Sequence, residues 1–297
     1  MAHKIRVASV SMAHELRRPL SREDNLRYLA DVLDELAPIA PDLVALPEIF
    51  ATAGLGGTGE RLPQSAAPLQ ELACKHHTYV VGSLYLEREG RRYNTALVVN
   101  REGAIVGGYD KIHPTEGEIE GGIAPGAPEQ RPVRTELGTI GLQICFDANW
   151  PAGWASQVAD GADLIVFPSA FPGGRLLEGL ALAFSVWVVP SVWSLHSGII
   201  DNTGRWVAHS DRFARWVSAE VNLDRTVFHW DFQGDRVKDI VHKYGSRVSV
   251  ETFDPEALFS LEPNHPDLSI SEIIQEFELV TYRDYIGRAT AVQDAAR

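Results

Sequence analysis

The stretch Thr139–Pro151, TIGLQICFDANWP, joins a nucleophilic side chain to the end of a β-prone segment. Residues 139–144 are mostly apolar and contain one internal glycine, which predicts a short buried strand. Cys145 follows directly, and the Asp, Asn and Pro residues after it favour a turn. A thiol where a rigid strand opens onto a loop is well placed for nucleophilic attack, although a buried free cysteine often only fills space.

Two other segments place a charged side chain at the end of an apolar, strand-like run. Glu48 lies two residues after the run Leu43–Leu46, and Lys111 lies two residues after Ala104–Tyr109. Taken alone, each would be a solvated side chain at a sheet edge. Strand ends of one sheet converge, however, and functional sites form there. We therefore expect this carboxylate and this ammonium to lie beside the thiol of Cys145.

These three side chains suit acyl transfer at a carbon–nitrogen bond. The thiolate is the reactive form of cysteine, and Glu48 can take the thiol proton and later return it to a leaving amine. Lys111, as a cation, and the backbone N–H of Phe146 can stabilise negative charge on a carbonyl oxygen or a nitrile nitrogen. Because both charged groups would flank it, we expect Cys145 to alkylate faster than Cys74 at neutral pH.

Composition excludes several other classes of protein. The chain has 297 residues, of which 45% are hydrophobic and 23% are charged, as in ordinary globular proteins. The net charge of −13 argues against non-specific binding to nucleic acid or to anionic membranes. With only 2 cysteines, a disulfide scaffold and a Cys-rich zinc site are excluded, and the histidines show no metal-binding spacing. No metal site is therefore expected.

The N-terminus and the apolar runs predict a soluble, cytoplasmic protein. Lys4–Met12 is too short for a signal peptide and is soon followed by charged residues. No apolar run approaches the ~18 residues that a membrane span requires. We therefore expect no membrane partner.

The elements that would carry the reactive residues form an α/β pattern. Ser21 and Asp24 make a capping box, which predicts a helix to about Ala37 with apolar residues at helical spacing. Glu-Gly pairs mark turns between three strand-like runs within residues 79–109. Helices and strands alternate before and after these hairpins. This order predicts mixed sheets covered by helices.

The sequence divides into a domain over residues 1–262 and a C-terminal arm over residues 263–297. The apolar pattern weakens from about Thr226, and a capping box that begins at Ser269 predicts the short helix Ile270–Phe277. We expect the arm to pack on the body of the domain or on a partner subunit.

Three ordered segments resemble the signature motifs of the nitrilase, or carbon–nitrogen hydrolase, superfamily. They are Leu46-Pro47-Glu48, Tyr109-Asp110-Lys111-Ile112-His113 and Gly141-Leu-Gln-Ile-Cys145-Phe-Asp. Supporting matches are Tyr93-Asn94-Thr95-Ala96, Pro125-Gly126, Gly161-Ala162-Asp163 and Pro168-Ser169-Ala170. The resemblance covers roughly residues 4–223. It implies a four-layer αββα sandwich, no cofactor, and a homodimer or higher homo-oligomer.

By this resemblance, Glu48 is the general base and acid, Lys111 the electrophilic stabiliser and Cys145 the nucleophile. An amide would form a tetrahedral intermediate, then a thioester with loss of the amine, and water would hydrolyse the thioester. The first hypothesis is therefore a cofactor-free hydrolase of non-peptide carbon–nitrogen bonds in a small molecule. Amides rank first, N-carbamoyl amines second and nitriles third, since Phe-Asp-Ala-Asn follows the cysteine where true nitrilases often have Trp-Glu-Asn.

The loop after the lysine offers a second glutamate of the kind that many members of the family use. The candidates are Glu116, Glu118 and Glu120. We favour Glu120, because Ile119-Glu120-Gly121 ahead of Pro125-Gly126 is most similar to the family pattern.

Aromatic residues near the nucleophile are candidates for the substrate pocket. Phe146 and Trp150 follow Cys145, and Phe171 follows Pro168-Ser169-Ala170. Aromatic side chains belong to the core more often than to a pocket, so these are binding candidates only by position.

Two other classes of function remain open. An acyltransferase would use the same thioester with another acceptor, and a binding or scaffolding protein would keep the fold without the reaction. The absence of a membrane segment argues against the lipoprotein type of acyltransferase, and the intact set of three reactive residues argues against a non-catalytic protein.

Overall fold

A computed structural model of the chain describes residues 3–12, 21–55 and 63–297. These residues form two compact units. The larger unit holds residues 5–182 and 186–220, and the smaller unit holds residues 183–185 and 221–297 together with His3 and Lys4.

Two sheets build the larger unit. Its strands, in chain order, are β1 (Lys4–Val10), β2 (Leu43–Ala45), β3 (Tyr79–Arg88), β4 (Arg91–Val99), β5 (Ile105–Asp110), β6 (Val133–Thr135), β7 (Gly138–Leu142), β8 (Leu164–Ser169), β9 (Trp187–Val192), β10 (Gly198–Ile200), β11 (Trp206–His209) and β12 (Trp216–Asn222). The first sheet has the order β12-β1-β2-β3-β4-β5, and the second has the order β11-β10-β9-β8-β7-β6.

Both sheets are mixed, as the alternation of elements predicted. In the first sheet β1, β2 and β3 are parallel, whereas β3, β4 and β5 are joined as antiparallel hairpins. Glu89 and Gly90, the two residues between β3 and β4, both have positive φ, at 52° and 72°. Two left-handed residues match the twist of the paired strands, and this fixes the register of the hairpin. In the second sheet β7, β8 and β9 are parallel, with antiparallel strands at the edges.

In the described residues of the larger unit, five helices accompany the two sheets, and the first two cover the outer face of the first sheet. They are α1 (Arg22–Leu36), α2 (Ala67–His76), α3 (Glu116–Glu120), α4 (Pro151–Ala159) and α5 (Arg175–Phe184). The predicted capping box starts α1, since Ser21 Oγ accepts from the Asp24 N–H while the Asp24 carboxylate accepts from the Ser21 N–H. Apolar side chains of α1 and α2, such as Leu29 and Leu69, form one core with β1–β4.

The inner faces of the two sheets lie against each other. Ser9 Oγ of β1 donates a hydrogen bond to Pro190 O of β9 at 2.6 Å, and Ser191 Oγ donates to Val10 O at 2.7 Å. On the far side of the second sheet, Trp154 of α4 packs against Phe167 of β8. Helix, sheet, sheet and helix therefore form the four-layer αββα sandwich that the motifs implied.

The smaller unit carries its own sheet and core. Its elements are β13 (Thr226–His229), α6 (Arg236–Tyr244), β14 (Val248–Phe253), β15 (Leu258–Pro263), α7 (Ile270–Glu276) and α8 (Tyr282–Ala295). The strands pair in the antiparallel order β13-β15-β14. Phe228, Ile240, Phe259 and Ile273 lie in its apolar core.

The predicted boundary between residues 262 and 263 falls inside β15 of this unit. The division of the chain is therefore different from the one expected, because a folded unit beginning at Val221 takes the place of an arm. Its strands are only four to six residues long and β14 is largely exposed, so they leave little apolar periodicity. The predicted cap at Ser269 is present and starts α7. Across residues 3–12, 21–55 and 63–297, no helix combines the length and apolar character needed to cross a bilayer.

Candidate active site

Glu48 is held in a buried position just beyond the end of β2. Its side chain is only 4% exposed, and Glu48 Oε2 accepts a hydrogen bond from the Ala170 N–H at 3.0 Å. The backbone around it is also fixed: Trp193 Nε1 donates to the Glu48 carbonyl, and the Ile49 N–H donates to Ser83 Oγ at 2.9 Å. Ile49 has a left-handed φ of 45°, which turns the chain sharply after the carboxylate.

Lys111 follows β5 and lies between two carboxylates. Lys111 Nζ donates to Glu48 Oε1 at 2.8 Å and to Glu118 Oε2 at 2.7 Å, and the side chain is 1% exposed. Burial by itself lowers the pKa of the Lys111 ammonium, but the charges of Glu48, Cys145 and Glu118 outweigh it and raise that pKa above its ordinary value. Lys111 is therefore a buried, permanently charged cation at neutral pH.

Cys145 lies at the start of a short 3₁₀ turn, three residues after β7. It has a left-handed φ of 48° and is buried. Burial and the charge of Glu48 raise the pKa of its thiol to about 12, although Lys111 and the Ala170 N–H act in the opposite direction. The resting thiol is therefore protonated at neutral pH. Burial and the raised pKa of Cys145 act against the expected faster alkylation relative to Cys74, which is exposed to solvent, and the relative rates stay a prediction.

Glu118, rather than Glu120, lies beside the lysine. Thr115 caps α3, and its N–H donates to Glu118 Oε2 at 2.8 Å, which turns the Glu118 carboxylate inward. Glu120 comes two residues later, about 200° further round the helix, and is exposed to solvent. The preference for Glu120 is therefore corrected to Glu118. The signal in the sequence was the capping pattern Thr115-x-x-Glu118, which fixes the direction of the N3 side chain.

The charge of Glu118 is stabilised by its partners. Burial alone would raise the pKa of this carboxyl, but the charge of Lys111 and hydrogen bonds from Lys111, Thr115 and Asn94 lower it below the ordinary value. The cluster thus holds two carboxylates around one ammonium.

Asn94 of β4 also joins this cluster. Asn94 Nδ2 donates to Glu48 Oε1 at 2.8 Å and to Glu118 Oε1 at 3.1 Å, and the side chain is completely buried. In the sequence Asn94 stands only within the flanking segment Tyr93-Asn94-Thr95-Ala96. Nothing in the sequence distinguishes an asparagine that bonds two distant carboxylates from one that caps a turn.

Asp147 connects the cysteine turn with the lysine loop. Asp147 Oδ1 accepts from the N–H and the ring Nδ1 of His113, and Oδ2 accepts from the Tyr109 hydroxyl at 3.0 Å and the Ile144 N–H at 3.1 Å. Burial and the charge of Asp147 raise the pKa of Tyr109 well above its ordinary value. Tyr109, His113 and Asp147 all lie inside the signature motifs, but their spacing in the chain does not predict these hydrogen bonds.

The aromatic pocket candidates differ in exposure. Phe146 is 36% and Trp150 38% exposed, and their rings meet edge to face at 5.1 Å. Trp150 also stacks on His113 at a centroid distance of 4.0 Å. Phe171 is half-buried beside Ala170 and has its ring edge to face with Phe167 at 6.2 Å. Phe146 and Phe171 thus adjoin Cys145 and Ala170 in the chain, whereas Trp150 stacks on His113, which is hydrogen-bonded to Asp147.

Comparison with known proteins identifies the family. The family model for carbon-nitrogen hydrolases matches residues 6–227. The chain therefore belongs to the carbon–nitrogen hydrolases of the nitrilase superfamily, as its three motifs predicted.

Relatives and solved structures support this assignment. A hydrolase of Schizosaccharomyces pombe is 28% identical over 245 residues, which are 70% of this chain and 74% of the yeast protein. Human deaminated glutathione amidase is 33% identical over 172 residues, 50% of this chain and 52% of the human protein. The chain thus matches only about half the length of that amidase. The crystal structure of Saccharomyces cerevisiae Nit3, a member of branch 10 of the nitrilase superfamily, has the same fold, with a TM-score of 0.65, 21% identity, and coverage of 82% of this chain and 95% of Nit3.

Proposed function

We propose that this protein hydrolyses an amide bond of a small molecule through a thioester on Cys145, without a cofactor. The observation that carries the proposal is the buried ion pair of Glu48 and Lys111 beside the thiol of Cys145, whose pKa is raised to about 12. A protonated nucleophile needs a base, and a carbonyl that gains negative charge needs a cation. The cluster supplies both in a site shielded from water.

In the first step, Glu48 takes the proton of the Cys145 thiol while the sulfur attacks the amide carbon. Because the pKa of the thiol is raised to about 12, the thiolate is not formed in advance, and proton transfer accompanies formation of the sulfur–carbon bond. The carbonyl oxygen becomes an oxyanion. Lys111 and the backbone N–H of Phe146 stabilise this oxyanion.

In the second step, the tetrahedral intermediate collapses. The carbon–nitrogen bond breaks, protonated Glu48 gives its proton to the leaving nitrogen, and ammonia or an amine departs. The acyl group remains on Cys145 as a thioester. Glu48 then takes a proton from water, whose oxygen attacks the thioester, and Cys145 regains its proton as the carboxylic acid leaves.

Amides are the substrates we propose first. Human deaminated glutathione amidase is named for an amide substrate, and the sequence after Cys145 differs from that of true nitrilases. N-carbamoyl amines and nitriles rank second and third. Phe146, Trp150 and Phe171 would contact the substrate through their exposed ring surfaces. We further expect a cytoplasmic homodimer or higher homo-oligomer, whose mass light scattering would measure.

The experiment that tests this function measures ammonia release from a panel of amides, N-carbamoyl amines and nitriles. Deaminated glutathione is included, and the wild type is compared with Cys145→Ala and with the control Cys74→Ala. Release by the wild type and by Cys74→Ala, but not by Cys145→Ala, supports the proposal, and the best substrate defines the class. Equal release by Cys145→Ala would overturn it.

A second readout isolates the thioester. Acid quenching during turnover, followed by mass spectrometry, should find the acyl mass on the peptide that contains Cys145 and not on the one that contains Cys74. Added hydroxylamine should divert a small part of the product to hydroxamate. If hydroxamate or an ester were the main product, acyl transfer rather than hydrolysis would be the reaction.

A further inference from the structure

The Asn94 side chain connects the two carboxylates of the candidate active site. One N–H of Asn94 Nδ2 points to Glu48 Oε1 and the other to Glu118 Oε1, at 2.8 and 3.1 Å. Lys111 Nζ bridges the same two carboxylates from its own position, at 2.8 and 2.7 Å. The four side chains thus form a closed ring of hydrogen bonds, with the two acceptors on opposite sides and the two donors between them.

Chemistry fixes the orientation of this amide. An ionised carboxylate only accepts hydrogen bonds, so the NH₂ group of Asn94 and not its oxygen must face Glu48 and Glu118. Asn94 Oδ1 then lies buried with no hydrogen-bond partner in the described part of the chain. A buried acceptor without a donor costs free energy. The two charge-assisted N–H bonds to Glu48 and Glu118 offset this cost.

The backbone at Asn94 also positions the lysine. The Lys111 N–H donates to the Asn94 carbonyl at 2.8 Å, and β4 pairs with β5 just before this point, with Thr95 opposite Asp110. One residue of β4 therefore contacts the base, the cation and the second glutamate. It does so from a regular strand rather than a loop, which limits its movement.

We propose that Asn94 is a positioning residue that holds Glu48 and Glu118 at a fixed separation around Lys111 and stabilises the negative charge of the cluster. This proposal rests on the proposed function, in which Glu48 must be ionised to take the thiol proton. One ammonium can balance only one of the two carboxylates. Two N–H donors from a neutral side chain stabilise the second negative charge without adding a proton that could be lost.

The charges around Asn94 determine the expected effect on pH dependence. Glu48 after β2, Lys111 after β5 and Glu118 on α3 face the amide, and Cys145 interacts with Glu48 and Lys111. The hydrogen bond from Asn94 is among the causes that lower the pKa of Glu118. Removing this donor therefore favours protonation of Glu118, and the acid limb of the kcat/KM profile should move to higher pH.

The first test compares Asn94→Leu, Asn94→Asp and Asn94→Gln. Leu keeps the volume without donors, Asp keeps the shape but adds a charge, and Gln keeps the NH₂ group on a longer arm. For Leu and Asp we expect kcat to fall by about 100-fold with little change in KM. We also expect the acid limb to rise by about one pH unit. The kcat of Asn94→Gln should be at least about tenfold higher than that of Asn94→Leu, because Gln retains the N–H donors.

A matched control is Asn100→Asp, which makes the same change just beyond the end of β4. Asn100 Oδ1 accepts from the N–H groups of Glu102 and Ala104, which an aspartate can also do, and it does not touch the cluster. Its kinetics and pH profile should match the wild type. If Asn94→Leu lowered kcat without moving the acid limb, or if Gln were no better than Leu, Asn94 would be only a structural residue and the proposal would be overturned.

A substrate-free measurement separates this proposal from the proposed function. The pH at which Glu118 becomes protonated is followed by its infrared carboxyl band, assigned by difference from Glu118→Gln. We expect this midpoint to rise in Asn94→Leu and to stay unchanged in Asn100→Asp. If no amide were turned over but the midpoint rose, the role of Asn94 would stand and amide hydrolysis would fail. An unchanged midpoint would overturn the role of Asn94 whatever the activity.

Discussion

Asp147 Oδ1 accepts hydrogen bonds from both the backbone N–H and the ring Nδ1 of His113, each at 2.8 Å. Two donors of one residue converge on a single oxygen of a completely buried carboxylate. This relationship joins the loop that carries Lys111 to the turn that carries Cys145. The spacing of cation and nucleophile is therefore set by Asp147 and His113, neither of which takes part in the proposed chemistry.

Replacing Asp147 by Asn should weaken this connection. The donors from Tyr109, His113 and Ile144 now share the two carboxylate oxygens of Asp147. The amide of Asn has only one oxygen, so at least one of these buried donors would face its NH₂ group. We expect the free energy of unfolding in urea to fall by about 3 kcal/mol. The control Asp160→Asn alters an exposed carboxylate at the end of α4 and should leave the free energy of unfolding nearly unchanged. Equal unfolding midpoints for the two variants would contradict this assignment.

Glu118→Gln should lower kcat for amide hydrolysis by about 100-fold or more, because the second carboxylate beside Lys111 is lost. Glu120→Gln is the matched control, since it makes the same change two residues later on an exposed side chain. Its kcat should stay within about twofold of the wild type, as expected for a surface substitution. Ammonia release at saturating amide concentration measures the kcat of both variants. A larger loss in Glu120→Gln would restore the assignment made from the sequence.

Lys111→Met should destabilise the fold as well as abolish turnover. Without the ammonium, Glu48 and Glu118 would face each other as buried carboxylates, and breaking such a cluster costs about 3–5 kcal/mol. The double variant Lys111→Met/Glu118→Gln removes one of the two charges and should recover part of the stability. Lys75→Met, in an exposed pair with Asp34, should change the urea midpoint far less. A double variant less stable than Lys111→Met would argue against charge repulsion as the cause.

The raised pKa of Cys145 predicts a loss of stability in alkali. Below pH 9 the thiol is protonated in both the folded and the unfolded chain, so it contributes no pH dependence. Between pH 9 and about pH 12 the unfolded chain releases this proton while the folded chain keeps it, which favours unfolding. The free energy of unfolding of the wild type should therefore fall more steeply over this range than that of Cys145→Ser. Parallel slopes would show that the thiol is not shifted.

The sequence predicted the mixed sheets, because strand periodicity and capping are local signals. Its short motifs indicated the family, and the αββα layers followed only as what that resemblance implies. Which of Glu118 and Glu120 lies beside Lys111 depended on the direction of a single helical turn, for which the capping pattern Thr115-x-x-Glu118 is the local signal. The sequence could not indicate the bonds of Asn94, which join strands far apart in the chain. The raised pKa of Cys145 depends on burial by the whole fold and cannot be read from the residues around it.

The folded unit after Val221 was missed for a related reason. Its sheet includes strands of only four to six residues whose burial does not alternate regularly, so no single strand window carries the signal. The helix at Ser269 was found because a capping box is a contact between residues three apart.

The left-handed backbone at Cys145 and at Ile49 has a consequence for how this chain tolerates mutation. Residues other than glycine at such angles cost about 1–3 kcal/mol each, and here they are the proposed nucleophile and the residue after the proposed base. Glycine would relieve that strain at either position, yet at position 145 it would remove the reactive atom. Screens that select only for thermal stability would therefore tend to enrich inactive proteins at this position. A search for more robust variants should require turnover in every round of selection.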